Sequence, residues 1–245
     1  MFWNTLARSV DAAKQRLRYS PLVTRLPLMR YSYLFEYPKT ILVPELKLGF
    51  VPTPKVANRS MKIVIASHIG MQYQGDIHHA PWQFTPLALL RDNDYFRFGF
   101  VRNPLDRLLS CYAQKIVFYA REMGMPSLLW RYGNTFDKDM SFAEFVNAVA
   151  KIPDRISDIH FRSQHTFFYH RGRLMVDFVG HFERLDEDWS MVREKTGLPE
   201  LPHHNKSRHV DYREAYTADL AAIAAERYKK DIELFGYQDE INSLL

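Results

Sequence analysis

Residues 46–66 read LKLGFVPTPKVANRSMKIVIA, and the order of residue types in this stretch decides the fold class. Leu46, Leu48, Phe50 and Val51 form a short apolar run of the kind that fills a buried strand. Pro52 and Pro54 end regular pairing, because proline has no amide hydrogen to give to a ladder. The apolar positions Met61, Ile63, Val64 and Ile65 then read as a helix, with Asn58 or Ser60 available as its N-cap. A loop that runs into a helix N-terminus presents unbonded amide hydrogens and the positive end of a dipole, which suits a phosphate. Lys55 sits in that turn, where its ammonium can reach a bridging oxygen. The pattern GxxxxGK[ST] is absent, since no glycine lies between Thr53 and Ser60. Taken alone, the stretch is also accounted for by an ordinary strand-to-helix connection with an exposed lysine.

A second stretch of the same kind changes that balance. Residues 94–119 read DYFRFGFVRNPLDRLLSCYAQKIVFY. Phe96, Phe98 and Phe100 alternate, as in a strand with one face in the core. Asn103 suits an N-cap and Pro104 the first helical position. Leu105, Leu108, Leu109, Tyr112 and Ile116 then give an apolar helical stripe. Arg102 therefore stands at the carboxyl end of a strand, just ahead of a helix that carries Ser110. In open α/β sheets that edge is where ligands bind. An arginine fork there matches a terminal phosphate. Asp106 and Arg107 read as a solvated face or a helix-terminal pair.

Between the two lies residues 68–86, HIGMQYQGDIHHAPWQFTP, a polar and aromatic loop with room for a short strand. Long loops in compact domains tend to be functional or disordered. His78 and His79 sit in it without a partnered metal spacing, so a surface pair and a catalytic pair are both open. Tyr73, Trp82 and Phe84 read equally as sugar-stacking rings or as core.

Farther out, Phe142, Phe145, Val146 and Val149 repeat at helical spacing, and Gly133–Asn134 marks a turn. Residues 174–182 read as another strand and 186–195 as a helix closed by Gly197. The last helix is expected over 217–235, capped by Thr217 or Asp219 and stopped at Gly236, with Leu220, Ile223 and Tyr228 facing inward. Residues 203–209, HHNKSRH, form a basic loop without a zinc spacing. At the other end, residues 2–17 have helical spacing with Phe2, Leu6, Val10 and Ala13 on one side. A docked or frayed helix fits that thin stripe, and a membrane-surface helix with a basic polar face is the second reading. Residues 18–45 read as an irregular connector.

The bulk composition narrows the class. A chain of 245 residues holds one sizeable α/β core or two small domains. A hydrophobic content of 47% and aromatic content of 14% exclude a disordered chain. The net charge of +5 is spread out, which suits an anionic ligand without implying nucleic acid. One cysteine, Cys111, excludes a disulfide framework and suits a reducing compartment. No window approaches the ~20 apolar residues needed to cross a bilayer. The expected location is the cytoplasm, with membrane association through residues 2–17 as the alternative.

Together these segments resemble the carbohydrate sulfotransferases that use 3′-phosphoadenosine 5′-phosphosulfate (PAPS). TPKVANRSMK (residues 53–62) is similar to that family's 5′-phosphosulfate loop, and FVRNPLDRLLSCY (residues 100–112) to its 3′-phosphate motif. His160–Gln164, FVGHFERLDED (178–188) and YKKDIELFGY (228–237) agree in order, so the likeness runs from about Leu46 to about Tyr237. Asn58 and Arg59 stand where the family usually has a small residue and Thr or Ser; backbone amides still suit a phosphate there, and Arg59 adds charge.

The resemblance implies a single α/β domain over 46–245 behind an arm and connector at 1–45. It implies a central mostly parallel sheet flanked by helices, a P-loop-like nucleotide-binding sulfotransferase fold. The eukaryotic members carry a Golgi membrane anchor; this sequence shows none, and the expectation is a soluble, bacterial form. The implied activity moves the sulfuryl group of PAPS to a hydroxyl of an oligo- or polysaccharide, leaving adenosine 3′,5′-bisphosphate, with no metal and no nucleic acid partner.

By the same resemblance Lys55 faces the bridging oxygen. Val56, Ala57, Asn58, Arg59, Ser60 and Met61 surround the 5′-phosphate. Arg102 and Ser110 take the 3′-phosphate, and Lys206 and Ser207, in the loop 205–208, close over the nucleotide. Relatives that modify uronic acids use a loop histidine as base, others a glutamate. His79 is narrowly preferred over His78 for its place before the Ala80–Pro81 turn, with His68 an outside candidate. Two other classes stay open: a kinase or NTPase on a similar scaffold, and a catalytically inactive glycan-binding relative.

Overall fold

The runs around Phe50 and Phe98 form strands, and they lie side by side. The computed structural model describes residues 39–87, 94–124, 127–202 and 211–245. Its main sheet holds β1 (Lys39–Val43), β2 (Leu48–Val51), β3 (Gln83–Pro86), β4 (Phe96–Val101) and, after the two-residue hairpin of β5 (Tyr169–His170) and β6 (Arg173–Leu174), β7 (Phe178–His181). The order across the sheet is β3-β1-β2-β4-β7. The pairs β2–β4 and β4–β7 are parallel, and β1 is antiparallel to both β2 and β3. Every strand of the main sheet but β1 therefore runs one way, and that sheet is mostly parallel.

Two corrections to the sequence reading fall in this sheet. Lys39–Val43, left in the connector ahead of residue 46, is β1 and pairs on both edges. Leu46 ends a 3-10 turn, Pro44–Leu46, so β2 starts only at Leu48.

β4 is the centre of the core. Phe98 stacks on Phe50 of β2 with ring centroids 5.1 Å apart and meets Phe100 edge-on at 6.2 Å. Such pairs add to plain area burial. Two glycines make room for these rings. A Cβ on Gly99 would stand 2.5 Å from the Phe168 ring, and one on Gly180 of β7 would run into the Phe100 ring.

The helices are α1 (Asn58–His68), α2 (Pro104–Tyr112), α3 (Ser127–Tyr132), α4 (Phe142–Ala150), α5 (His165–Phe168), α6 (Leu185–Thr196), α7 (Ala218–Arg227), α8 (Lys229–Phe235) and α9 (Gln238–Asn242). α6 ends on Gly197 in the left-handed conformation that glycine adopts without a Cβ penalty. The helix expected over 217–235 is two helices. It breaks at Tyr228, whose buried ring directs its hydroxyl to the Phe161 carbonyl at 2.6 Å. Ile223, expected to face inward, is exposed. The strand expected over 174–182 is shorter, with β6 and β7 separated by the irregular residues 175–177.

The chain forms two compact units, residues 39–109 with 158–245, and residues 110–157. The first holds the sheet and the core described above. The second holds a π-helical stretch, Ala113–Glu122, and α4, which is opened by a capping box between Ser141 and Glu144. Tyr112 packs on Phe142 and Phe145 there, and its hydroxyl donates to Met140. Among the described residues no helix is long and apolar enough to cross a membrane. The expected N-terminal helix at 2–17, the connector up to 38, and Lys206 and Ser207 in the loop 205–208 lie outside the described residues.

Candidate active site

β2 and β4 are parallel neighbours in register from Leu48↔Phe96 to Val51↔Gly99, so their carboxyl ends lie together. Each then turns into a helix, β2 into α1 and β4 into α2. The two sequence motifs thus occupy adjacent crossings of one sheet edge.

The first crossing bends through two left-handed residues, Lys55 at φ 72° and Ala57 at φ 47°. Alternation of such residues turns successive amides toward one concave side, a shape that holds anions. Ala57 is the N-cap of α1, and among the described residues no side chain caps it. Asn58 and Ser60, expected as caps, are instead helical residues of the first turn. The amides of Asn58, Arg59 and Ser60 therefore have no intrahelical acceptor. Asn58 Oδ1 is buried with no hydrogen-bond partner among the described residues. Turned over, the same amide offers Nδ2 to an anion. Met61, expected among the phosphate contacts, has another job: its amide donates to the Ala57 carbonyl at 3.2 Å and its side chain is in the core. Val56 is likewise buried, so only its backbone faces the loop.

Left-handed backbone at a non-glycine residue costs about 1–2 kcal/mol, so something must hold the loop. Arg107 does. It is 1% exposed, and its guanidinium donates to the carbonyls of Pro54 (3.1 Å), Arg162 (2.8 Å) and Ile159 (2.9 Å). The solvated reading of Arg107 is wrong, because those three acceptors arrive from segments distant in sequence.

Arg102 is 4% exposed at the end of β4. Its Nε and Nη2 reach Asp106 Oδ2, each at 2.7 Å, and Nη1 donates to the Lys55 carbonyl at 3.3 Å. The Phe182 ring lies under the guanidinium, 4.4 Å from centroid to carbon, a favourable cation–π distance. Asp106 is thus the orienting partner of Arg102 and not part of a solvated face. A guanidinium has five N–H groups, and these contacts leave capacity for a further acceptor.

The turn that carries Arg102 is braced by the late segments. Gln164, fully buried, accepts from the Arg102 amide at 3.0 Å and donates to its carbonyl at 2.8 Å. Asp231, also fully buried, accepts from the amide and ring of His165 at 2.8 and 2.7 Å. Asn103 caps α2 as expected, its Oδ1 accepting from Leu105 at 3.0 Å, while its own amide donates to Glu183 at 2.6 Å. Burial pushes the Glu183 carboxyl up, against its hydrogen bonds to Asn103 and Tyr237. Gln164, Glu183 and Asp231 come from the three later segments of the resemblance, and all three serve as supports. Ser110, buried on α2, falls in the second compact unit.

The histidine loop lies against the first turns of α1. A 3-10 turn, Ile77–His79, is capped by Asp76, which accepts from the His78 amide at 3.1 Å and from Arg59 Nη1 at 2.9 Å. His78 Nδ1 is 3.3 Å from Nζ of Lys62, a lysine only 5% exposed on α1. Burial pushes the Lys62 ammonium down to about 8, against the attraction of Asp76. Loss of solvation on partial burial and then the Lys62 charge push the His78 imidazole below its usual value. Sequence reasoning missed Lys62, which reads as one more helix lysine. His79 is exposed and lines a cleft of about 390 Å³ with Gln72, Tyr73, Gln74, Ala80 and Pro81. Of the aromatic candidates, Tyr73 lines this cleft, Trp82 is core with its indole on the Ile77 carbonyl at 2.8 Å, and Phe84 is exposed under Lys39. His68 ends α1, in its last turn.

The sequence of these segments is similar to that of known proteins. Residues 38–238 match the Sulfotransferase family. Carbohydrate sulfotransferase 14 of Danio rerio is 34% identical over 195 residues, 71% of this chain and 52% of the relative. Carbohydrate sulfotransferase 10 of Homo sapiens is 25% identical over 232 residues, 78% of this chain and 65% of the relative. The chain spans between half and two thirds of the length of these two relatives. No solved structure matches it significantly. The family match runs from the residue before β1 to the first residue of α9 and takes in both crossings and every support of Arg102: the chain belongs to the sulfotransferase family.

Proposed function

We propose that the chain transfers the sulfuryl group of PAPS to a hydroxyl of a carbohydrate, on a P-loop-like nucleotide-binding fold. The relatives' names supply the acceptor class. The observation that carries the reading is the 3.3 Å contact between Arg102 Nη1 and the Lys55 carbonyl. It brings the two phosphate-seeking motifs to one place, with an uncapped helix N-terminus between them. That donor set fits a nucleotide with phosphates at both ends: amides and Lys55 for the 5′ side, Arg102 for the 3′ side. Ser110 is assigned to the 3′ side, and Lys206 and Ser207 to closure, on the sequence resemblance.

PAPS supplies an activated sulfuryl group whose transfer leaves a phosphate. The protein's part is then positioning and charge compensation, as in phosphoryl transfer. The Asn58–Ser60 amides hold the anion by backbone dipoles already turned outward, so no reorganisation is needed. Lys55 sets a positive charge beside the cradle to offset charge gathering on the leaving oxygen. His79, at the rim of the cleft, takes the proton of the acceptor hydroxyl, and Tyr73 offers a ring face to a sugar.

A thermal-shift comparison of adenosine 3′,5′-bisphosphate, ATP and AMP tests the cofactor, because a ligand raises apparent stability by mass action. The bisphosphate is expected to give the largest shift. A larger shift with ATP, together with magnesium-dependent hydrolysis, would replace the reading with a kinase or NTPase. Labelled PAPS with a panel of sugar acceptors then reads transfer; nucleotide or glycan binding without transfer leaves a binding protein.

A further inference from the structure

The buried Lys62 is unused by the mechanism above, and its partner is one of the two candidate bases. A lysine ammonium has three donors and no acceptor, so the ring atom that faces it must be an acceptor. A neutral imidazole has one donor and one acceptor nitrogen. We infer that Lys62 positions His78 as a hydrogen-bond donor: its ammonium takes Nδ1, the ring proton stays on Nε2, and His78 presents an N–H, not a lone pair, at the start of α1.

Two further contacts hold this arrangement. Asp76 fixes the His78 main chain through the 3.1 Å bond to its amide, and Arg59 ties Asp76 to the first turn of α1 at 2.9 Å. Lys62 lies four residues beyond Asn58, about 6 Å along the helix axis, so its backbone is about one turn from the amide cradle. The charged and titratable groups around the ring are Lys62 and Arg59 from α1 and Asp76 and His79 from its own turn. Burial first, and then two cations against one carboxylate, push the imidazole below its usual value and so favour the neutral ring. Burial leaves Lys62 charged up to about pH 8, so the donor form holds through the neutral range.

Under the proposed reaction, on which this inference rests, the Nε2–H of His78 adds a donor to the anionic group held at α1. His78 then does not remove the acceptor proton, and of the two neighbours only His79 is left for that role. Neighbouring histidines thus have opposite duties, set by which one has a lysine on Nδ1.

Long-range proton–nitrogen spectra of histidine-labelled protein read the tautomer directly, with His78→Gln identifying the signal by its loss. Wild type is expected to show the Nε2–H form at pH 7. Lys62→Met is expected to mix the two tautomers, and Lys62→Arg, which stays charged, to hold the Nε2–H form past pH 8. Activity gives a second readout. His78→Gln keeps an N–H and is expected to stay within about tenfold of wild-type kcat, whereas His78→Ala loses about 100-fold, the scale of one lost anion-stabilising donor. An Nδ1–H signal in wild type, an unchanged signal in Lys62→Met, or His78→Gln as inactive as His78→Ala would each overturn the inference. Binding of adenosine 3′,5′-bisphosphate to the same samples separates the two claims: retained binding with the wrong tautomer removes only the role of Lys62, and absent binding to wild type removes the cofactor.

Discussion

Arg107 Nε donates to the carbonyl of Pro54 at 3.1 Å, so a side chain of the second crossing holds the loop of the first across 53 residues of sequence. The loop of the first crossing is therefore not self-supporting. Its two left-handed residues are kept in place by a buried fork whose other arms grip Arg162 and Ile159.

Replacing that fork tests the point. Arg107→Ala strands three carbonyls, and hydrogen bonds to charged groups are worth about 1.5–3 kcal/mol each before relaxation. A loss of about 3–5 kcal/mol is expected, read by calorimetry as a fall in Tm of about 6–15 °C. Arg107→Lys is expected to recover little, since one ammonium cannot span three acceptors in a plane. A Tm within about 2 °C of wild type in the alanine variant would show that the loop holds its own shape.

Arg102 is expected to read the 3′-phosphate. In Arg102→Ala, affinity for adenosine 3′,5′-bisphosphate should fall by about 30-fold or more, the loss of about 2 kcal/mol of charge-assisted bonding. AMP affinity should change little. Titration calorimetry with both ligands checks this, and an equal loss for both would make Arg102 a structural residue.

Gly180 is expected to be irreplaceable on steric grounds. A Cβ there meets the Phe100 ring in the middle of the core. Gly180→Ala should cost about 1–3 kcal/mol, the usual scale of overpacking. Urea unfolding would show it as a lower midpoint with an unchanged slope.

Lys62 gives a pH dependence of defined sign. Its folded value lies near 8, below its usual 10.5, so between those limits the unfolded chain binds more protons than the folded one. Stability contributed by this group therefore rises as pH goes from about 8 to about 10.5, and below 8 the buried charge carries its full cost. The difference in unfolding free energy between wild type and Lys62→Met should shift in favour of wild type across that window, by at most about 3 kcal/mol. Comparing the two cancels tyrosine and other lysine titrations. Parallel pH profiles would show that Lys62 is solvated.

How much of this was written locally can be judged element by element. The alternation of Phe96, Phe98 and Phe100, the Asn103–Pro104 helix start and the Gly197 stop were legible because near neighbours along the chain decide them. β1 was not, since Lys39–Val43 lies between prolines, and its pairing with β2 and β3 and the burial of Ile41 and Val43 depend on distant segments. The caps of α1 were misassigned for a related reason. Asn58 and Ser60 have the right side chains, but the left-handed turn at Ala57 moves the helix start ahead of both.

The sequence by itself determined the class of fold and the two strand-to-helix crossings, because strand, turn and helix signals act over a few residues. Tertiary structure alone decided that Arg107 is a buried brace, that Arg102 reaches the Lys55 carbonyl, and that His78 has a lysine while His79 faces a cleft. Those assignments depend on which distant carbonyls and charges share a low-dielectric space, and no local spacing encodes that.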